Sequence, residues 1–359
     1  MTDLSDTNPT RHGLFDEAIL EILARSLPRA ARYEPHPRGP WPARAALAEH
    51  FGGDPEDYWL TSSTSQAYGW LFSLLGAPGA EVAIPGPGYP LIEPLARFHH
   101  LDTVSYRTFY VHPVGWELDR DCLEAVLDRE KVRAVVAIHP NNPTGAYAEP
   151  AVATVAAERN LPLIADEVFF PFRLAGDQTV RLSGAEAGLT FGLDGLSKLL
   201  GAPQLKLAWI RLSGPPAARA ATERTLDQIA DAYLCVNPAT ALALPELLTL
   251  AEASIARILA RVRANLAIAE AAFAPRRVRT VQGGWIALLD VGAILEADAL
   301  CVALMDRAGL CVHPGYFYDL EDSTLALSLL ARETDFRESC LRLGAALAVL
   351  NAEQSGAKG

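Results

Sequence analysis

Short apolar runs alternate with longer stretches of helical pattern along the first two thirds of the chain. Val82–Ile84, Thr103–Tyr106, Ala134–Ile138, Leu161–Ala165, Leu189–Leu193 and Leu207–Leu212 read as strands. Between them, Gln66–Leu75, Leu91–His99, Arg120–Arg129 and Pro150–Arg159 read as helices, with His99 and His100 at the end of an amphipathic one. Such alternation predicts βαβ units, and so an α/β fold whose large domain has a mostly parallel sheet flanked by helices. Chemistry on such a sheet belongs in the loops leaving the carboxyl ends of the strands.

The texture changes at Pro215. Ala217–Ala232, Ala239–Leu250 and Glu252–Phe273 are helical, Gly284–Asp290, Leu310–His313 and Thr324–Leu330 are strand-like, and helices lie near Asp298–Ala308 and over Asp335–Ala352. This predicts a second, smaller α+β domain. The expected division is an N-terminal arm with part of the small domain over 1–40, a large domain over 41–250 and the small domain over 251–359. The five prolines of Pro28–Pro42 read as an extended surface connector.

Composition narrows the function classes. The chain has 359 residues, half of them apolar, enough for two cores. A net charge of −12 speaks against a nucleic-acid partner. No apolar run approaches the roughly 18 residues of a membrane span, and the polar Met1–Arg11 has no secretory h-region. Cys122, Cys235, Cys301, Cys311 and Cys340 are scattered without CxxC spacing, as expected of reduced thiols in a cytoplasmic protein. The histidines form no ligand spacing, so no metal site is expected.

Several loops after strands carry candidate chemistry. His139–Gly145 is a stiff turn presenting the Asn142 amide. Asp166 ends an apolar strand, where an unpaired carboxylate is costly; its ordinary reading is a cap on the next element, with Glu167 beside it solvated. Lys198 lies in the Ser/Gly-rich Gly195–Gly201, bounded by apolar residues that would depress an amine pKa. Lys206 adds a cation eight residues on. Ser63, Thr64 and Ser65 open a helix, either as plain N-caps or as donors to a phosphate. Tyr89 stands on the rigid Pro85–Pro90 loop, where it could stack on a ring. Each feature alone has an ordinary structural explanation. Together, in this order, they supply what pyridoxal phosphate needs: an imine-forming amine, a carboxylate for the pyridinium nitrogen, phosphate donors and an aromatic face.

The chain resembles the class I/II aminotransferases of the fold-type I pyridoxal-phosphate superfamily over nearly its whole length. The resemblance is carried by Pro78–Val82 leading into Pro85–Pro90, Asn141–Gly145, Asp166–Phe169, Ser197–Lys198, and the Gly39–Arg44 element. It implies a seven-stranded-type large sheet, Lys198 as the Schiff-base lysine and proton carrier, Asp166 on the pyridinium nitrogen, Asn142 on the ring oxygen and Tyr89 stacked on the ring. Ser63, Thr64, Ser65, Ser197 and Lys206 fall at the phosphate. Tyr33 matches a tyrosine reaching the phosphate of a partner subunit, which implies a homodimer with shared sites. The implied reaction moves an amino group from an amino donor to a keto acid or aldehyde.

Four departures from the family pattern bear on substrate and cofactor. Phe169 replaces a tyrosine that would also bond the ring oxygen, which is expected to raise the imine pKa. Lys206 replaces an arginine and loses the bidentate fork. Gly195 replaces a serine. Ala326 falls where relatives place an arginine that binds the substrate carboxylate. Arg332 is six residues beyond it, about 20 Å in extended chain at ~3.3 Å per residue. Arg32, Arg38 and Arg332, with Gly39 and Trp285, are therefore candidate substrate contacts, or else the donor lacks an α-carboxylate. Trp285 and Pro314–Tyr318 either line the entrance or fill the small-domain core. A lyase acting at Cα or Cβ is the second expectation, and a non-catalytic cofactor-binding module the third.

Overall fold

The computed structural model describes residues 1–176, 180–234, 236–274 and 277–357. Its main sheet has eight strands, in the spatial order Tyr58–Thr61, Ala208–Ser213, Thr190–Gly195, Leu163–Asp166, Val132–Ile138, Glu81–Gly86, Asp102–Val111 and Gly115–Leu118. The five strands from Thr190–Gly195 to Asp102–Val111 run parallel, and both edges are antiparallel. The expected α/β fold with a mostly parallel sheet is therefore present. The eighth strand, Gly115–Leu118, closes a hairpin on Asp102–Val111.

The middle strands are apolar on both faces because both faces are covered. Along Val132–Ile138, Ala134, Val136 and Ile138 pack with Trp59, Trp70 and Phe72. The alternate residues Val135 and Ala137 pack with Val152 and Val155 of helix Pro150–Glu158. Register aligns Ile138 with Asp166 and Asp166 with Leu193. Three strands thus end at one level, and the loops carrying Asn142, Asp166 and Lys198 leave the sheet side by side.

The C-terminal lobe holds a three-stranded antiparallel sheet, with Thr324–Ser328 between Ile286–Asp290 and His313–Pro314. Helices Ala251–Ala272, Ala297–Ala308 and Glu333–Ala357 accompany it. Thr2–Asp3 pairs with Leu310–Cys311, and Leu4 and Leu14 enter this lobe's core.

The extended reading of Pro28–Pro42 is corrected at both ends. Leu27–Ala31 is a short 3-10 helix, and Trp41–Phe51 is an α-helix with Pro42 in its first turn, where a missing N–H costs nothing. Helix Ala18–Ser26 was likewise not expected; it packs, as does Trp41–Phe51, against Pro238–Leu248. Cys235 lies outside the described residues; Cys122, Cys301, Cys311 and Cys340 are free thiols. Among the described residues, no helix is long and apolar enough to cross a membrane.

Candidate active site

Lys198 sits in a single helical turn, Leu196–Leu199, directly after strand Thr190–Gly195, rather than in the open loop expected from its glycines and serine. Its Nζ lies 5.3 Å from the ring centre of Phe169 and 5.1 Å from that of Trp285. The amine faces a cavity but protein surrounds it, and this desolvation lowers its pKa to about 8, against the pull of Asp166. About a tenth of it is thus neutral at pH 7, far more than for an ordinary lysine.

Asp166 ends strand Leu163–Asp166 and is buried. Burial raises its pKa to about 6, opposed by the Val168 N–H at 3.3 Å from Oδ1, the Tyr68 hydroxyl at 3.1 Å from Oδ2, and Lys198. No ion pair satisfies this carboxylate among the described residues, so it awaits a cationic N–H. Asn142 carries a buried amide oxygen without a partner. A half-turn of that amide would present its N–H₂ instead.

Ser63 caps helix Thr64–Leu75, its hydroxyl accepting from the Gln66 N–H at 3.1 Å. The helix starts two residues earlier than the apolar pattern alone indicates, because the cap lies in the hydroxyl run. Its first N–H groups and the hydroxyls of Thr64 and Ser65 face the same cavity as Ser197 and Lys206. Lys206 adopts a left-handed backbone, φ 50°, after the turn Pro203–Leu205.

These residues meet in one cavity of about 450 Å³, lined by Ser63, Thr64, Ser65, Tyr89, Asn142, Asp166, Ser197, Lys198, Lys206 and Trp285 together with Gly195 and Phe169. Trp285 fills both roles considered for it. It is 1 % exposed, packs at 5.3 Å from Phe169 and 5.0 Å from Phe172, and still forms part of the wall.

Five expected contacts are not brought to this cavity within the chain. Arg38 is spent on structure: its Nε and Nη2 each donate to Asp227 at 2.7 Å, its Nη1 to the Glu56 carbonyl at 2.6 Å, and its guanidinium lies 4.2 Å over Trp59. Gly39 has φ 92° and abuts Leu60, so it serves the backbone turn. Arg332 is exposed, and Arg32 is exposed and paired with Glu34. Tyr33 is exposed, away from its own chain's cavity.

Other functional neighbours escaped the sequence reading. Glu167, read as solvated, is instead 1 % exposed; it accepts from the Leu182 and Ser183 N–H groups and from Arg181 at 3.0 Å. Arg181 also reaches Asp194 at 3.2 Å, just before the lysine turn. Burial raises the Asp194 pKa to about 7, although Arg181 lowers it. Thr7 and His313 join the lining, beside Tyr318 of the Pro314–Tyr318 segment already read as entrance lining or core, and Tyr68 supports Asp166. Tyr68 had one available signal: it sits one helical turn after Thr64, a polar tip on an apolar face.

The family model for aminotransferase class I and II matches residues 6–344, and the chain belongs to that family. Among curated proteins it is similar to S-alkyl-thiohydroximate lyase of Arabidopsis thaliana, 32 % identical over 213 residues, covering 56 % of this chain and 44 % of that protein. It is equally similar to nicotianamine aminotransferase 1 of Oryza sativa subsp. japonica, 32 % identical over 209 residues, covering 54 % and 40 %. The chain thus spans less than half the length of these relatives. Alanine aminotransferase of Pyrococcus furiosus shares the fold at a TM-score of 0.88, with 21 % identity over 97 % of this chain and 92 % of that one.

Proposed function

We propose that this member of the class I and II aminotransferase family binds pyridoxal phosphate and moves an amino group between an amino donor and a keto acid or aldehyde. The observation that carries the reading is the pairing, in one cavity, of the desolvated amine Lys198 with the buried carboxylate Asp166, which forms no ion pair among the described residues.

The residues fit the cofactor. Asp166 suits a ring N–H, the partnerless amide of Asn142 suits the ring oxygen, and the hydroxyls of Ser63, Thr64, Ser65 and Ser197 with Lys206 suit the phosphate. Tyr89 provides an aromatic face. When bound, pyridoxal phosphate supplies an aldehyde carbon for the amine and an electron-accepting ring. Among the described residues Lys198 Nζ is the amine beside Asp166, so it is the group to hold the cofactor and then to take a proton from the donor Cα and return it. Its depressed basicity keeps it competent near neutral pH. Phe169 and Trp285 exclude water from this amine, and Asp166, kept ionised by Tyr68 and Val168, holds the ring nitrogen's proton in place.

The subunit arrangement we propose is a homodimer. Tyr33 is 68 % exposed, and Leu27 and Trp41, near it in the chain, are exposed as well, apolar surface that a second copy would cover. A cytoplasmic location is in keeping with the free thiols. A lyase reaction at Cα or Cβ is the second reading, favoured by Ala326, which leaves no guanidinium at the strand facing the cavity wall, and in keeping with the lyase among the relatives.

Reconstitution with pyridoxal phosphate followed by amino donor alone tests the reading. Transamination converts the visible absorbance to that of pyridoxamine phosphate and yields a carbonyl product without a second substrate. Release of an eliminated fragment with the visible band retained identifies a lyase instead, and a protein that stays colourless refutes both.

A further inference from the structure

The cavity wall built by the C-terminal lobe carries no permanent charge among the described residues. It consists of Trp285, Ile286, His313 and Tyr318, while Asp166, Lys198 and Lys206 all belong to the sheet side. The two wall strands flank Thr324–Ser328, and both Leu288 and His313 pair with Ala326. Ala326 is buried among Ile286, Leu288 and Tyr318 and offers the cavity nothing polar. Recognition on this wall falls to His313 and Tyr318.

These two are already joined. The Tyr318 hydroxyl lies 3.1 Å from His313 Nδ1, and burial raises that phenol to about 12, so it stays protonated and able to donate. An imidazole that accepts at Nδ1 carries its proton on Nε2. His313 Nε2 has no protein partner among the described residues. Burial lowers the imidazole pKa, with Asp3 pulling weakly the other way, which favours the uncharged ring. The edge of Phe317, 5.3 Å away, fixes the ring plane.

We infer that His313, oriented by Tyr318, is a specificity-determining residue whose Nε2–H meets an uncharged hydrogen-bond acceptor on the amino donor, so that the site prefers amines without a carboxylate beside the amine. The inference rests on the proposed transfer reaction. A carboxylate against Trp285, Ile286 and a neutral imidazole would lose its hydration without gaining a cation. A hydroxyl or amide oxygen loses far less and can take the Nε2 proton.

The test uses the reconstituted holoenzyme and a matched pair of donors, an α-amino acid and the 2-amino alcohol of the same side chain. Wild type is expected to favour the alcohol by about tenfold in kcat/KM. His313→Ala should raise KM for the alcohol by about tenfold with little change in kcat, and His313→Gln, which keeps a donor, should restore most of it. Ala326→Arg should shift the preference toward the amino acid. Preference of the wild type for the amino acid, or an unchanged ratio in both His313 variants, overturns the inference. The visible cofactor band separates the two levels: its absence in wild type refutes the enzyme reading, whereas a normal band with an unchanged ratio refutes only the role of His313.

Discussion

The Tyr68 hydroxyl donates to Asp166 Oδ2 at 3.1 Å, and both residues are withdrawn from solvent, at 2 % and 7 % exposure. A donor on the ionised form offsets part of the cost of burying a carboxylate. Tyr68→Phe should therefore raise the Asp166 pKa above its present value of about 6 and weaken cofactor retention at neutral pH about tenfold, equivalent to about 1.4 kcal/mol. Titrating the protein with pyridoxal phosphate by visible absorbance measures this. Unchanged retention would count against Asp166 as the partner of the ring nitrogen.

Asp166 also sets a pH dependence. Its folded-state pKa, about 6, lies above the ordinary 3.8, so the folded state favours the protonated form. That contribution is fully present below about pH 4 and is lost as pH rises through about 6, a swing of roughly 3 kcal/mol. In the cofactor-free protein, Asp166→Asn should melt close to wild type at low pH and clearly higher near pH 7. Thermal melts across that range decide the point; a gap that does not change with pH would mean the carboxylate is not desolvated.

Lys198 titrates with the opposite sign. Its pKa falls from 10.5 to about 8, so the stability of the neutral form is present above 10.5 and lost as pH falls through about 8. At neutral pH the charged amine costs the cofactor-free fold about 3 kcal/mol at most. Lys198→Met should raise the denaturant midpoint at pH 7 while abolishing amino transfer. Loss of stability together with activity would show the lysine to be structural.

Arg38 separates a structural from a substrate role. Removing the guanidinium leaves Asp227, among the described residues, with only the Trp59 indole N–H at 2.8 Å and bares the indole face. Arg38→Met is expected to cost about 2 kcal/mol of stability and to leave the donor KM nearly unchanged. Denaturant unfolding and steady-state kinetics on the same preparation test both halves.

The parallel strands were legible because burial on both faces turns them into apolar runs, as in Ala134–Ile138 and Leu163–Ala165. Tyr58–Thr61 and Gly115–Leu118 were not legible. Each has four residues, too few to show a period; Tyr58–Thr61 is held by the distant strand Ala208–Ser213, and Gly115–Leu118 by the hairpin it closes on Asp102–Val111. The cofactor contacts were legible because each sits in a short loop after a strand, with local turn chemistry that announces it. Arg38 misled because a cation near a family motif looks free until Asp227, 189 positions away, is seen to hold it. Glu167 misled in the opposite direction: nothing local shows that Arg181 will reach back to it.

The sequence alone determined the order of the parallel strands and the helices between them, the family, and the loops bearing Asn142, Asp166 and Lys198, since these follow from local pattern and spacing. Tertiary structure decided which of those groups are desolvated, and which cations are already paired. It also decided that a wall of Trp285, Ile286, His313 and Tyr318 stands across the cavity from the lysine. Desolvation and pairing arise between residues far apart in the chain, and only the folded backbone brings them within reach.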